Sequence, residues 1–313
     1  MLWSGSENKR GGDFSAARRY PIAMTRSPAQ PPTPPLTARP FSTARQEAVV
    51  ANAPTSTAQT EHAAYALAFQ DRDFLLREEL RPVRFQLELL KAELALSEAG
   101  IESTFVFYGS ARIPSPAAAE ALLAAATPET RAVAERLAAK ARYYDVAREL
   151  AALVSAPVGA DGRREFTVMS GGGPSIMEAA NRGAHDVGAP TIGLNIVLPH
   201  EEVPNPYVTP GLSFQFHYFA LRKMHFLMRA RAVAVFPGGF GTFDEMFELL
   251  TLVQTGKIKP MPILLYGAEF WRKVVNFEAL ADEGVIARRD LALFHIVETA
   301  AEGWGIVKDE YGL

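Results

Sequence analysis

Two hydrophobic periods alternate along most of this chain, and the switches between them mark its elements. Short apolar runs rich in Val, Ile, Phe and Leu at 104–108, 166–169, 191–197, 232–236, 262–266 and 293–297 read as buried strands. Between them lie longer segments of helical periodicity, at 128–154, 176–187, 214–230 and 243–253. Strand and helix alternating from 101 to 313 predict one α/β domain built on a doubly wound, mostly parallel, Rossmann-like sheet with helices on both faces. Upstream, helical periodicity starts near Ala63, is interrupted at Pro82 and resumes with Val83, Leu87, Leu90 and Leu94 on one face. Residues 61–100 are therefore expected to form a helical segment packed on the domain.

Residues 1–60 carry no such pattern. They hold eight of the 22 prolines, including Pro31-Pro32-Thr33-Pro34-Pro35. Seven basic residues (Lys9, Arg10, Arg18, Arg19, Arg26, Arg39, Arg45) against three acidic ones (Glu7, Asp13, Glu47) make this segment +4, which leaves −7 on the remainder of a chain of net charge −3. A segment of that composition cannot bury enough apolar surface to fold, and a disordered tail is expected. An Arg-rich, acid-poor transit peptide and a true start at Met24 are the alternatives; the lack of a clear amphipathic helix favours the plain tail.

Bulk composition narrows the function classes. With 313 residues, 48% of them hydrophobic, a globular protein with a sizeable core is expected. The slightly acidic balance implies no nucleic-acid partner, and no apolar run reaches the roughly 18 residues that a membrane span needs. The absence of cysteine excludes disulfides, cysteine-ligated metals and thiol catalysis; it fits a reducing, cytoplasmic setting.

The chemistry concentrates in loops that follow strands. Phe236-Pro237-Gly238-Gly239-Phe240-Gly241-Thr242-Phe243-Asp244-Glu245 reads as strand, glycine turn and helix. Gly238, Gly239 and Gly241 allow positive φ and close approach of a ligand, and Thr242 stands where a helix N-cap belongs, beside N–H groups suited to a phosphate. Thr242 to Glu245 is equally a T-x-x-E capping box that needs no ligand. Neither the dinucleotide G-x-G-x-x-G pattern nor the Walker A loop is met, since no Lys follows Gly241. Gly171, Gly172 and Gly173 follow a second strand, and Gly109-Ser110-Ala111-Arg112 a first one. In open α/β sheets such loops lie at the carboxyl ends of the strands, where ligands bind. The segment before the Ala232 strand adds Arg222, Lys223, Arg229 and Arg231; Arg222 and Arg229, seven apart, share a helix face, which as an ordinary charge run would simply be solvated.

Taken together these blocks resemble the LOG family, the cytokinin riboside 5′-monophosphate phosphoribohydrolases. Pro237 to Glu245 is similar to its P-G-G-x-G-T-x-x-E signature, and Arg222-Lys223 to its R-K pair. Ser170-Gly171-Gly172-Gly173 with Met177-Glu178-Ala179-Ala180 and Gly183-Ala184 is similar to its other glycine block, and Gly109-Ser110-Ala111-Arg112 to its first loop. The likeness runs from about Phe105 to the last helix and leaves out the tail and the 63–100 helices, as in a longer bacterial branch. Members are often labelled lysine decarboxylases, but nothing in this sequence marks a Schiff-base lysine.

The resemblance implies hydrolysis of the N-glycosidic bond of a purine, or N6-modified adenine, nucleoside 5′-monophosphate, with no metal or organic cofactor. It implies Glu245 as the carboxylate facing the ribose and Arg222 as the group on the substrate and leaving base. Lys223, Gly171, Gly172, Gly173, Gly109 and Ser110 would line the nucleotide; Gly238, Gly239, Phe240, Gly241 and Thr242 would hold its phosphate, and Glu202 is a further contact candidate. The expected partners are that small-molecule substrate and a second copy of the chain, as a homodimer or higher homo-oligomer, with no nucleic acid and no membrane. A non-catalytic nucleotide or phosphate-ligand carrier on the same fold is the alternative, since a fold and a phosphate loop do not fix chemistry.

Overall fold

The computed structural model describes residues 41–52, 55–159, 162, 164–199 and 203–313. The chain divides into two compact units, 1–72 and 73–313. In the described part of the first, α1 (Ala44–Ala51) forms where no structure was expected. Its cause is local: Thr43 caps the helix and accepts from the Gln46 N–H, while Gln46 accepts from the Thr43 N–H at 2.9 Å. No side chain of α1 is buried. Of the expected tail, residues 1–40, 53 and 54 lie outside the described residues. A short helix, α2 (Arg72–Leu75), marks the division between the units.

The second unit contains α3 (Arg81–Glu98), β1 (Thr104–Tyr108), α4 (Pro116–Ala124), α5 (Arg131–Ala138), α6 (Arg142–Ser155), β2 (Thr167–Ser170), α7 (Ile176–Asp186) and β3 (Thr191–Ile196). It continues with β4 (Ser213–Phe216), α8 (Phe219–Met228), β5 (Ala230–Val235), α9 (Phe240–Gln254), β6 (Ile263–Tyr266), α10 (Ala268–Val274), α11 (Phe277–Asp282), β7 (His295–Val297) and α12 (Ala300–Tyr311). The strands form one seven-stranded sheet in the order β4-β3-β2-β1-β5-β6-β7. Every pairing is parallel, as the alternating pattern predicts.

Helices cover both faces, which is why β1 is wholly buried and, apart from Thr104, apolar. Phe105 and Phe107 point into a core with α6, α7 and α12. Val106 and Tyr108 point the other way, into a core with α3, α8, α9 and Trp271. The chain lays down β1 to β4 in one direction and returns to place β5 beside β1. That reversal is the switch point at which ligands bind in this architecture.

Three expectations are corrected. Residues 214–216, read as the start of a helix, belong to the edge strand β4, in which Phe214 and Phe216 are buried and Gln215 is exposed; period 2 wins there, and α8 starts only at Phe219. The expected 128–154 helix is two helices, α5 and α6. On α3 the predicted apolar face of Val83, Leu87, Leu90 and Leu94 is 38, 51, 49 and 55% exposed, and the helix buries Ala92 and Leu96 instead. α3 is held to α8 largely by polar contacts, so its packing face does not follow the apolar stripe.

Candidate functional site

The three glycine loops meet at the switch point because backbone bonds tie them together. The Ser110 N–H donates to Pro237 O at 3.2 Å, and the Ile176 N–H donates to Ser110 O at 3.4 Å. The Ser110 hydroxyl is used within its own loop, accepting from the Arg112 N–H at 2.9 Å, and the Arg112 side chain is exposed. Ser175, at the head of α7, is the single non-glycine with positive φ (65°) among the described residues. Its hydroxyl donates to Ile113 O, which fastens the 171–175 turn to the first loop.

Gly171 and Gly172 are required by proximity. A Cβ on Gly171 would come within 2.5 Å of the Arg222 guanidinium and 2.7 Å of the Met177 sulfur. Gly172 has φ +72°, and a Cβ there would collide with the Asn195 side chain. Two buried asparagines that sequence reasoning missed hold this turn. Asn205 donates through Nδ2 to Gly173 O at 3.0 Å and to Asn181 Oδ1 at 2.9 Å. Asn181 Oδ1 also accepts from the Ser170 hydroxyl at 2.7 Å, and its Nδ2 donates to Ile192 O at 3.2 Å. A buried polar residue on the apolar face of α7 was the available signal for Asn181; nothing local marked Asn205.

At the other loop the capping-box reading fails. The N-cap of α9 is Gly239, with no side-chain cap bond, and the Phe243 N–H is already paired with Gly239 O at 3.0 Å. Thr242 is thus the third residue inside the helix and 5% exposed, and its side chain packs where a Cβ of Gly238 would stand. Helix formation begins at Phe240 because Gly239 supplies the extended cap. None of Gly238, Gly239 and Gly241 has positive φ. What Gly239 and Gly241 leave is space, since an added Cβ at either meets no atom within 4 Å. The N–H groups of Phe240, Gly241 and Thr242 in the first turn precede the first intrahelical bond, and Phe240 is 97% exposed.

Glu245 follows one turn later. Its side chain is 15% exposed and lies 3.7 Å from Nη1 of Arg222, itself 11% exposed. Burial pushes the Glu245 carboxyl up to about 7, against the pull of the Arg222 guanidinium. Arg222 is anchored by its Nε–H, which donates to Leu194 O at 2.6 Å, and its guanidinium lies 5.2 Å from the Phe226 ring centroid. At the end of β1 beneath them, burial first and the Glu245 charge second push the Tyr108 phenol well above its ordinary value.

Lys223 lies on another face of α8 and bridges Asp244 and Glu248, each at 3.1 Å. Burial lowers its pKa, but the two carboxylates together outweigh that and hold it above the ordinary value. Arg229, predicted on the Arg222 face, turns away to a bidentate pair with Glu93 at 2.5 and 2.8 Å. Glu202 lies outside the described residues. Among the described residues no cluster of three or more His, Asp or Glu side chains could hold a metal, and no helix is long and apolar enough to cross a membrane.

Fold and site define a doubly wound α/β protein whose glycine loops, helix N-terminus and buried Glu–Arg pair converge at the switch point. Residues 177–306 match the family described as "Possible lysine decarboxylase". The chain is 30% identical over 167 residues to cytokinin riboside 5′-monophosphate phosphoribohydrolase LOG of Oryza sativa subsp. japonica, across 52% of this chain and 65% of that protein. It is 28% identical over 153 residues to LOG2 of Arabidopsis thaliana, across 47% of this chain and 67% of that protein. The resemblance to the LOG family read from the motifs is thereby borne out over about half the chain. A molybdenum cofactor carrier protein from Chlamydomonas reinhardtii aligns in structure at a TM-score of 0.37 and 18% identity, over 67% of this chain and 99% of that one. A likeness of that strength carries no argument about function.

Proposed function

We propose that this protein hydrolyses the N-glycosidic bond of a purine, or N6-modified adenine, nucleoside 5′-monophosphate, releasing the free base and ribose 5-phosphate. The observation that carries this reading is the buried Glu245 carboxyl 3.7 Å from Arg222, one turn inside a helix whose N-terminus opens onto the glycine loops. The 5′-phosphate sits at the N–H groups of Phe240, Gly241 and Thr242, where the positive end of α9 and the space beside Gly239 and Gly241 accept it. Cleavage breaks the bond between C1′ and the base nitrogen; its electron pair leaves with the base, and positive charge grows on the ribose. Glu245 stabilises that charge and takes a proton from the water whose hydroxyl adds to C1′; the departing base takes its proton from solvent, to which Glu245 afterwards returns the one it took. Arg222 holds the nucleotide and polarises the leaving base. Lys223, engaged with Asp244 and Glu248, acts by holding α8 against α9.

The test is incubation of the protein with each nucleoside 5′-monophosphate and chromatography for free base and ribose 5-phosphate. Release of adenine from AMP, or of the modified base from its nucleotide, is the expected result. Tight nucleotide binding with no release from any of them would return the non-catalytic carrier reading.

A further inference from the structure

α3 lies outside the stretch that matches the family, yet it holds α8, the helix that carries Arg222, at three points. At the first, the N-cap of α8 is Tyr218, which makes no side-chain cap bond of its own. The missing acceptor comes from α3: the Glu88 carboxylate accepts from the His217 N–H at 3.1 Å and from the Tyr218 N–H at 2.9 Å. The Phe85 ring stacks on Tyr218, with centroids 4.0 Å apart. In mid-helix, His225 Nε2 lies 3.1 Å from Leu89 O. At the far end, Arg229 is gripped by Glu93, by Ser97 Oγ at 2.9 Å and by Ile101 O at 2.9 Å.

A carboxylate at the positive end of a helix fixes both its position and its direction. Arg222 sits one turn from that end, with its N–H on Tyr218 O at 3.1 Å. We infer that α3 is a built-in clamp for the site and that Glu88 is a positioning residue, acting through the N-terminus of α8 to set the Arg222 guanidinium over Gly171 and toward Glu245. The polar face of α3 explains what its apolar stripe does not, namely why the helix packs with Leu87 and Leu90 outward. Unlike the Glu93–Arg229 pair, which ties down the end remote from the chemistry, the Glu88 contact lies on the turn from which Arg222 projects.

This inference rests on the proposed hydrolase reading for its kinetic arm only. Glu88→Ala and Glu88→Gln are made in the full chain, with Leu87→Ala, an exposed neighbour, as the control. In Glu88→Ala, amide hydrogen exchange at 217–222 is expected to speed up tenfold or more while Tm stays within a few degrees. Base release from AMP should fall about 10- to 100-fold, the loss lying in kcat more than in KM, as small misplacements of a catalytic group produce. Glu88→Gln should lie between Glu88→Ala and wild type, because its amide oxygen still accepts from the Tyr218 N–H without the charge. Leu87→Ala should match wild type in both readouts. Unchanged exchange at 217–222, or full turnover in spite of faster exchange, overturns the inference. If the wild-type protein releases no base at all, the hydrolase reading fails and the clamp is judged on exchange alone. If Glu88→Ala does not fold, the milder Glu88→Gln carries both measurements.

Discussion

Replacing Glu245 by Gln tests the site most directly. Gln has the shape of the protonated carboxyl, and with that carboxyl titrating only near 7 the folded protein already accommodates the uncharged form. No cap is lost either, since α9 is capped by the Gly239 backbone. The charge is what disappears. A full unit charge about 4 Å from the carboxylate, at an effective dielectric of about 20, is worth about 4 kcal/mol. A ribose carrying part of a unit charge in the transition state would lose about 3 kcal/mol, and loss of proton transfer from water adds to that. Turnover of AMP is therefore expected to fall by about 10² to 10⁴, with the affinity for AMP retained and the melting temperature at neutral pH equal to or above that of wild type. The assay is single-turnover release of adenine alongside calorimetry of the same samples. A folded Glu245→Gln protein that cleaves AMP within a few-fold of wild type would refute the assignment.

Four further outcomes follow from the same geometry. Because the folded carboxyl of Glu245 binds its proton more tightly than the unfolded one (4.5 to about 7), the native state carries the extra proton between those values. Stability should accordingly decline by about 3 kcal/mol as pH rises through that window, and denaturation against pH should show this slope in wild type but not in Glu245→Gln. AMP should be cleaved and adenosine hardly at all, because binding energy at the remote phosphate orients the sugar; equal rates would remove the phosphate from the α9 N-terminus. Gly241→Ala should raise stability by about 0.5 to 1 kcal/mol, as Ala does inside a helix, while raising KM for AMP; a lower KM would contradict the phosphate placement. A chain beginning at Thr60 should keep its melting temperature and activity, since α1 buries no side chain, and a large loss of either would give the segment before it a structural role.

Local pattern was enough for six of the seven strands, all but β4. Strands covered on both faces must be largely apolar, so 104–108 and 263–266 announce themselves, and the glycine blocks at 171–173 and 238–241 announce the turns that follow β2 and β5. Glu245 and Arg222 were singled out by the family resemblance, because each sits at one of its motif positions; local pattern alone left them a capping box and a solvated basic face. It could not tell whether Thr242 to Glu245 forms a capping box. That depends on where α9 begins, and the helix starts at Phe240 rather than after Thr242 because Gly239 takes the cap conformation. Nor could it tell that Lys223 and Arg229 would be occupied by Asp244, Glu248 and Glu93, partners 21, 25 and 136 positions away that only the packing of α8 brings near. The apolar stripe on α3 misled for a related reason. A helix buries whichever face its strongest contacts demand, and here those are Glu88 and Glu93 on the two ends of α8, an arrangement that no period in the sequence encodes.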